Sequence, residues 1–289
     1  MSPLENPAEL VLAAYIFLAA VSAAIIRPTG ALGISIYYLA ALGLFVCLRL
    51  VPPSRSAFVR GMRAVFPLML FSPLYTGTGL LSSALPRWVL SAPLERWEAA
   101  LFGGQPSMYL AERLPGLFLS ETLHAAYVSY YLLIAALPLV LVFLGRVRES
   151  ARAVFALCLC FALCNLCYIW LPVASPFFIY PPIGPPLSGG FFYRLAHGIS
   201  NRGGVLGGAF PSSHAALTAI NLLMAFKLHR RLFWWTLVPS VLLLVATVYC
   251  RYHYALDIVA GVALAALVVH ATKKARTGLG RDAVKEGGN

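Results

Sequence analysis

Residues 233–271 read FWWTLVPSVLLLVATVYCRYHYALDIVAGVALAALVVHA, two apolar stretches joined at the tetrapeptide RYHY. A helix needs about 20 mostly apolar residues to cross the hydrocarbon core of a bilayer. Each half therefore reads as one crossing, over 233–250 and 253–271, with the join at one membrane surface. Ionisable groups inside such stretches are costly and mark function. Asp257 is the only aspartate in any of them, since the chain's other aspartate, Asp282, lies beyond the last one.

Working outward, similar stretches occupy residues 8–26, 31–50, 63–82, 121–144, 152–171 and 211–228. The pattern predicts an all-α polytopic transmembrane bundle of about eight helices, six to eight in all, in a single integral membrane domain over 1–289. Pro67, Pro73, Gly77 and Gly79 interrupt the third stretch, which membrane helices tolerate when neighbours satisfy the freed backbone. Composition agrees: of 289 residues 60% are apolar and only 11% charged, far from the usual soluble mix. The first stretch begins with Glu5 and Glu9 and no basic run, so a retained helix is expected in place of a cleaved signal. The cysteines between Cys158 and Cys167 have no His, Asp or Glu among them, which favours packing over a metal site or disulfide framework. No metal and no cofactor are expected.

The formal charge of +12 is spread through short loops and does not build one basic face, which argues against a nucleic-acid partner and makes the charge a topological signal. One side of the alternation holds 15 of the 22 Lys and Arg. The other holds Arg27, Arg87, Arg96, Arg113, Arg194, Arg202 and Arg251, although it carries the two longest connections, 83–120 and 172–210. The positive-inside rule makes the richer side cytoplasmic. Both termini, including the basic tail 273–289, are then cytoplasmic, and the long loops face the periplasm, cell exterior or lumen. Trp88, Trp97 and Trp170 mark the outer interface and Trp234 and Trp235 the inner one. The loop 83–120 mixes Pro86, Trp88, Trp97, Phe102, Met108 and Leu114 with scattered charges, a pattern expected of short surface helices.

Asp257 follows His253 by four residues, so at 3.6 residues per turn both side chains share a helix face. A carboxylate there fixes one ring nitrogen and leaves the other aimed outward. Upstream, residues 203–214 read GGVLGGAFPSSH. Glycines and Pro211 end a loop, and Ser212, Ser213 and His214 open the next apolar helix, where free amides and the positive end of the dipole suit an anion such as phosphate. A plain N-cap with an interfacial histidine fits the same residues. Topology joins the motifs, because the chain enters the membrane at 211, leaves near 228 and returns by 250, putting His214 and His253 at the same outer surface. Together they supply a two-step phosphoryl transfer in which His253 attacks phosphorus and His214 protonates the leaving oxygen.

FPSSHAALT and HYALDIVAG resemble the second and third signature motifs of the type 2 phosphatidic acid phosphatase superfamily. The HYxxD form is similar to its inositolphosphotransferase and sphingomyelin synthase branch. The resemblance is close over 207–261 and looser over about 95–185, at LFGGQPS and YVSYY, and it implies a catalytic core over about 95–272. It implies His253 as nucleophile, Asp257 as its orienting group and His214 as general acid. Two features depart from the family pattern: no Lys and Arg-Pro phosphate clamp stands upstream of residue 207, and the arginine six residues before the nucleophile is replaced by Thr247. Developing phosphate charge still requires placed donors and cations, for which Arg202, Arg251 and Arg194 are the outer-face candidates beside Ser212 and Ser213. Glu121, His124, Tyr127 and Tyr130 open the fourth span at helical spacing and are candidates to reach the headgroup.

The function implied is a membrane lipid phosphotransferase or phosphatase acting through a phosphohistidine at the outer face. Transfer of a phosphorylated polar headgroup leads, and simple removal of phosphate from phosphatidic acid or a polyprenyl diphosphate is the alternative. A proton-coupled transporter is the competing class, but its ionisable groups belong at the midplane and these histidines fall near one surface.

Overall fold

The computed structural model describes residues 7–26, 31–50, 56–84 and 91–286. Arg27, Pro86, Arg87, Trp88 and Glu5, named above, lie outside them. The described chain is helical: α1 (Pro7–Ile26), α2 (Ala31–Leu50), α3 (Ala57–Val65), a 3-10 turn (Phe66–Leu70), α4 (Phe71–Ser82), α5 (Ser91–Phe102), α6 (Pro106–Arg113), α7 (Leu117–Val128), α8 (Tyr130–Phe143), α9 (Val147–Trp170), α10 (Pro176–Ile179), α11 (Phe191–Gly203), α12 (Ser213–Leu228), α13 (Arg230–Tyr249) and α14 (Ala255–Glu286).

Every expected stretch is found as helix. By length and composition five helical spans can cross a membrane, or six when α7 and α8, bent by 44° at their break, count as one. The apolar part of α2 and the 16-residue α12 are shorter. Pro67 accounts for the broken third stretch: it sits in the 3-10 turn between α3 and α4, and the whole of Phe58–Ser82 still qualifies as one span. The loop 83–120 does contain surface helices, α5 and α6. The second long connection is more structured than its glycines suggest, since α10 and α11 lie within it.

Helix α9 is the axis of the bundle, packed against α1, α3, α4, α8, α12 and α14. Cys158, Cys160 and Cys164 are buried in its core face. Polar side chains from three helices of the bundle pair with one another, as an apolar solvent favours. Tyr15 Oη lies 2.5 Å from Thr78 Oγ1, and Thr78 donates to Asn165 Oδ1 at 2.8 Å. Outward-facing side chains such as Phe17, Val238, Val259 and Leu267 are exposed and apolar, the inverse of a soluble surface.

Pro138 inside α8 cannot offer an N–H to the carbonyl of Ile134. Asn221 of α12 fills that position, its Nδ2 donating to the carbonyls of Leu133 and Ile134 at 2.9 Å each. The carbonyl left free by the proline of α8 thereby becomes a tie to α12, the helix that begins with the His214 motif.

Candidate active site

The loop ahead of α12 is held from three directions. Its 205–209 stretch is laced to 173–175: Val173 N–H donates to Gly207 O at 3.1 Å, Ala209 N–H to Val173 O at 3.2 Å, and Ser175 N–H to Leu206 O at 3.2 Å. Tyr168 at the end of α9 donates its hydroxyl to Pro211 O at 2.7 Å and accepts from Ser213 N–H at 3.0 Å. The Ser212 amide donates to the carbonyl of Asp257 at 3.0 Å, which ties the two sequence motifs together through the backbone. Ser212 also caps α12, its Oγ accepting from Ala215 N–H at 3.3 Å. The plain N-cap reading and the catalytic one thus describe the same turn.

The second motif is a tight corner between α13 and α14. Tyr252 and His253 N–H both donate to Thr247 O, at 2.9 and 2.8 Å, and Arg251 takes a left-handed φ of 63°, costly for a side chain with a Cβ. The cost is held by the guanidinium, which donates to the carbonyls of Ser107, Met108 and Pro181 and lies 3.8 Å from Glu112 Oε1. Arg251 is 8% exposed, so it braces the corner against α6 and the 181 loop. Tyr254 then begins α14, and Asp257 Oδ2 reaches back to Tyr254 N–H at 2.9 Å, half of a capping box.

At the centre, His253 Nδ1 lies 3.0 Å from Ala209 O and 3.3 Å from Asp257 Oδ2. Both are acceptors, so Nδ1 carries the proton and Nε2 presents a lone pair. That Nε2 is 3.3 Å from His214 Nδ1. Burial lowers the His253 imidazole to about 4, opposed by its hydrogen bond to Ala209, which favours the neutral ring at pH 7. His214 sits against Tyr127 and Tyr130, with ring centroids 5.0 and 4.3 Å away. Two nitrogens in hydrogen-bond contact leave no room for a phosphorus atom between them, so the ring of His214 must turn from His253 to admit a phosphoryl group.

The site is thus a buried imidazole backed by a carboxylate and touching a second imidazole at a helix N-terminus. Residues 94–271, more than half of the chain, match the family described as the PAP2 superfamily. The chain belongs to the PAP2 superfamily. Membership points to a phosphatase-type enzyme. No curated protein and no solved structure matches.

Within this PAP2 chain the structure brings His214, His253, Asp257, Ser212 and Ser213 into one cluster. Arg251 adjoins it with its guanidinium turned to backbone carbonyls. Arg194 and Arg202 are exposed on α11 and, among the described residues, have no ion-pair partner. Of the fourth-span candidates, Tyr127 and Tyr130 contact His214. His124 Nδ1 instead lies 2.7 Å from Ser120 O within its own helix, and Glu121 accepts from Phe192 and Tyr193 N–H at 2.9 Å each, capping α11 from outside. Sequence reasoning missed Tyr168, the carbonyl of Ala209 and Glu98. The first two carry no motif, because a tyrosine in an apolar span and a backbone carbonyl are legible only once the loop is folded. His197 of α11 stacks on Tyr193 with centroids 3.9 Å apart, and its Nδ1 is 3.2 Å from Tyr252 Oη.

Proposed function

We propose that the protein cleaves or transfers a lipid phosphate ester through a phosphohistidine on His253. The observation that carries this reading is the relay Asp257–His253–His214, with Nδ1 of His253 committed to acceptors and Nε2 facing the second imidazole. His253 Nε2 attacks phosphorus, forming an N–P bond as the ester P–O bond breaks, and His214, which takes up its proton once the anionic phosphate group is beside it, delivers that proton to the leaving oxygen. In the second half His214 removes a proton from water or an alcohol, whose oxygen attacks phosphorus as the N–P bond breaks. Since the amides of Ser212 and Ser213 already donate to Asp257 O and Tyr168 Oη and the Ser212 hydroxyl caps the helix, at the start of α12 the Ser213 hydroxyl and the His214 amide are the donors offered to the phosphate oxygens. Arg202 and Arg194 are the cations free to approach them, while Arg251 acts through the corner it braces.

We place the reaction at the outer membrane face, on the charge asymmetry of the loops. The HYxxD form of the motif favours the inositolphosphotransferase and sphingomyelin synthase-like branch, and with it transfer of a phosphorylated headgroup, such as phosphoinositol, onto a lipid alcohol. Hydrolysis of phosphatidic acid or a polyprenyl diphosphate is the alternative on the same residues, differing only in the acceptor. Mass spectrometry of lipid products separates them. Purified protein offered labelled phospholipids with ceramide or diacylglycerol should yield a new phosphorylated lipid; free phosphate alone would assign hydrolysis, and no product dependent on His253 would end the reading.

A further inference from the structure

Helix α5 is inverted relative to a soluble amphipathic helix: Trp97, Leu101 and Phe102 are exposed, while Leu94 and Glu98 are buried. Glu98 is a carboxylate with 0% exposure. Its Oε1 accepts from Ala255 N–H at 2.5 Å and Leu256 N–H at 3.3 Å. These are first-turn amides of α14, which have no partner within the helix. One residue on, Asp257 Oδ2 takes Tyr254 N–H and faces His253 Nδ1. Glu95, on the same turn of α5, accepts from Tyr254 Oη at 2.8 Å. Three consecutive residues at the start of the nucleophile's helix, Tyr254 to Leu256, are therefore gripped by one surface helix that is separated from them by some 160 residues of chain.

From this contact we infer that Glu98 is a positioning residue for phosphoryl transfer: by accepting the leading amides of α14 it fixes where Asp257 stands, and through Asp257 the aim of His253 Nε2. The inference rests on the function proposed above. Mere docking of α5 could use any apolar side chain. Burying a carboxylate whose second oxygen, Oε2, has no partner among the described residues is a poor way to gain stability. It makes sense where the amides of one helix turn must be held to a fraction of an ångström, and misplacement of about 1 Å costs about 10²-fold in rate. Burial pushes the Glu98 carboxyl up to about 7, with the charges of Asp257 and Glu95 acting in the same direction and the two amides against it. A neutral acceptor of the same length is therefore a close mimic.

The test uses the full-length protein in detergent micelles, with short-chain phosphatidic acid as substrate probe and orthovanadate as a probe of the phosphate site. Glu98→Gln keeps the reach and the acceptor but loses the charge, and should hold kcat within about threefold. Glu98→Asp keeps the charge but retracts it by one methylene, and Glu98→Ala removes it; both should lower kcat about 10- to 100-fold per folded molecule with KM changed much less. A purely structural role would lower folded yield and Tm alike in both and leave kcat of the folded fraction unchanged, which would overturn the inference. So would Glu98→Asp outperforming Glu98→Gln. Where Glu98→Ala does not fold, the Asp and Gln pair decides. His253→Ala separates the two levels: if wild type neither turns over the probe nor gains Tm with vanadate, or if His253→Ala does both, the proposed function fails first and the inference with it.

Discussion

At the scale of the residue, the site's chemistry is set by which acceptors share one N–H. His253 Nδ1 has two, the carboxylate of Asp257 and the carbonyl of Ala209. Replacing the carboxylate that orients a catalytic histidine in a serine protease costs about 10⁴ because the wrong tautomer forms. Here the Ala209 carbonyl still demands the proton at Nδ1, so Asp257→Asn should lower kcat by only about 10²-fold while His253→Ala abolishes turnover. A loss with Asp257→Asn as large as with His253→Ala would mean that the carbonyl does not hold the tautomer. The same burial sets a pH signature. With His253 lowered to about 4, the proposed nucleophile stays unprotonated well below the ordinary imidazole range, so its acid limb in kcat/KM should lie nearer pH 4 than 6.5. Stability follows in the same direction. The unfolded chain takes up this proton at about 6.5 and the folded one only near 4, so the contribution is intact above about pH 6.5 and is lost as pH falls toward 4. Tm measured across that window should fall less steeply in His253→Ala.

Between elements, the two motif helices meet where there is no side chain. A Cβ on Gly261 would stand 2.4 Å from Ser212 O and 3.2 Å from both Ala215 Cβ and Ala216 N. Gly261 closes the HYALDIVAG motif, and its place one turn beyond Asp257 lets α14 lie against the start of α12. Gly261→Ala should force these helices apart, costing about 1–3 kcal/mol and more activity than stability, since the displaced atoms carry Ser212 and His214. Comparing Tm with turnover of the folded protein checks this, and equal proportional losses would place the glycine in packing alone. The motifs were legible in part from spacing: His253 does meet Asp257, but from the corner ahead of α14 and not from one turn of a shared helix face, while proline with glycines announced the helix start at Ser213. What spacing could not give was the partner elements. Glu98 is one of only eight glutamates in the chain and falls three residues after Glu95, but which helix end it serves depends on a contact between distant segments. Arg251 shows the converse, since proximity to the nucleophile in sequence suggested a phosphate ligand, and the left-handed corner turns its guanidinium to the carbonyls of α6.

For the whole molecule, apolar periodicity gave nearly all the helices because a bilayer imposes length as well as pattern. It blurred where proline or serine breaks a span, as at the α7–α8 bend. The fold then adds a relation that loop charge alone only suggests: hydrogen bonds link the α12 start, the 250–254 corner, α5, α6 and the 173–211 connection in one continuous set at a single end of the bundle. The turn between α12 and α13, with His229 and Arg230, is one helix length away, about 24 Å for the 16 residues of α12. The two ends must therefore face opposite aqueous phases if α12 crosses most of the bilayer, and the positive-inside rule assigns the His229 end to the cytoplasm. Single cysteines at Arg113 and Arg231, in a background with the exposed Cys47 replaced by serine, test this directly. A membrane-impermeant maleimide applied to intact cells should label Arg113→Cys at once and Arg231→Cys only after permeabilisation. Reversed labelling would place the histidine pair on the cytoplasmic face, where soluble phosphate esters and cytoplasmic lipid headgroups become the substrates to consider. Equal labelling of both before permeabilisation would mean that α12 and α13 form a re-entrant hairpin, and the count of crossings would fall by two.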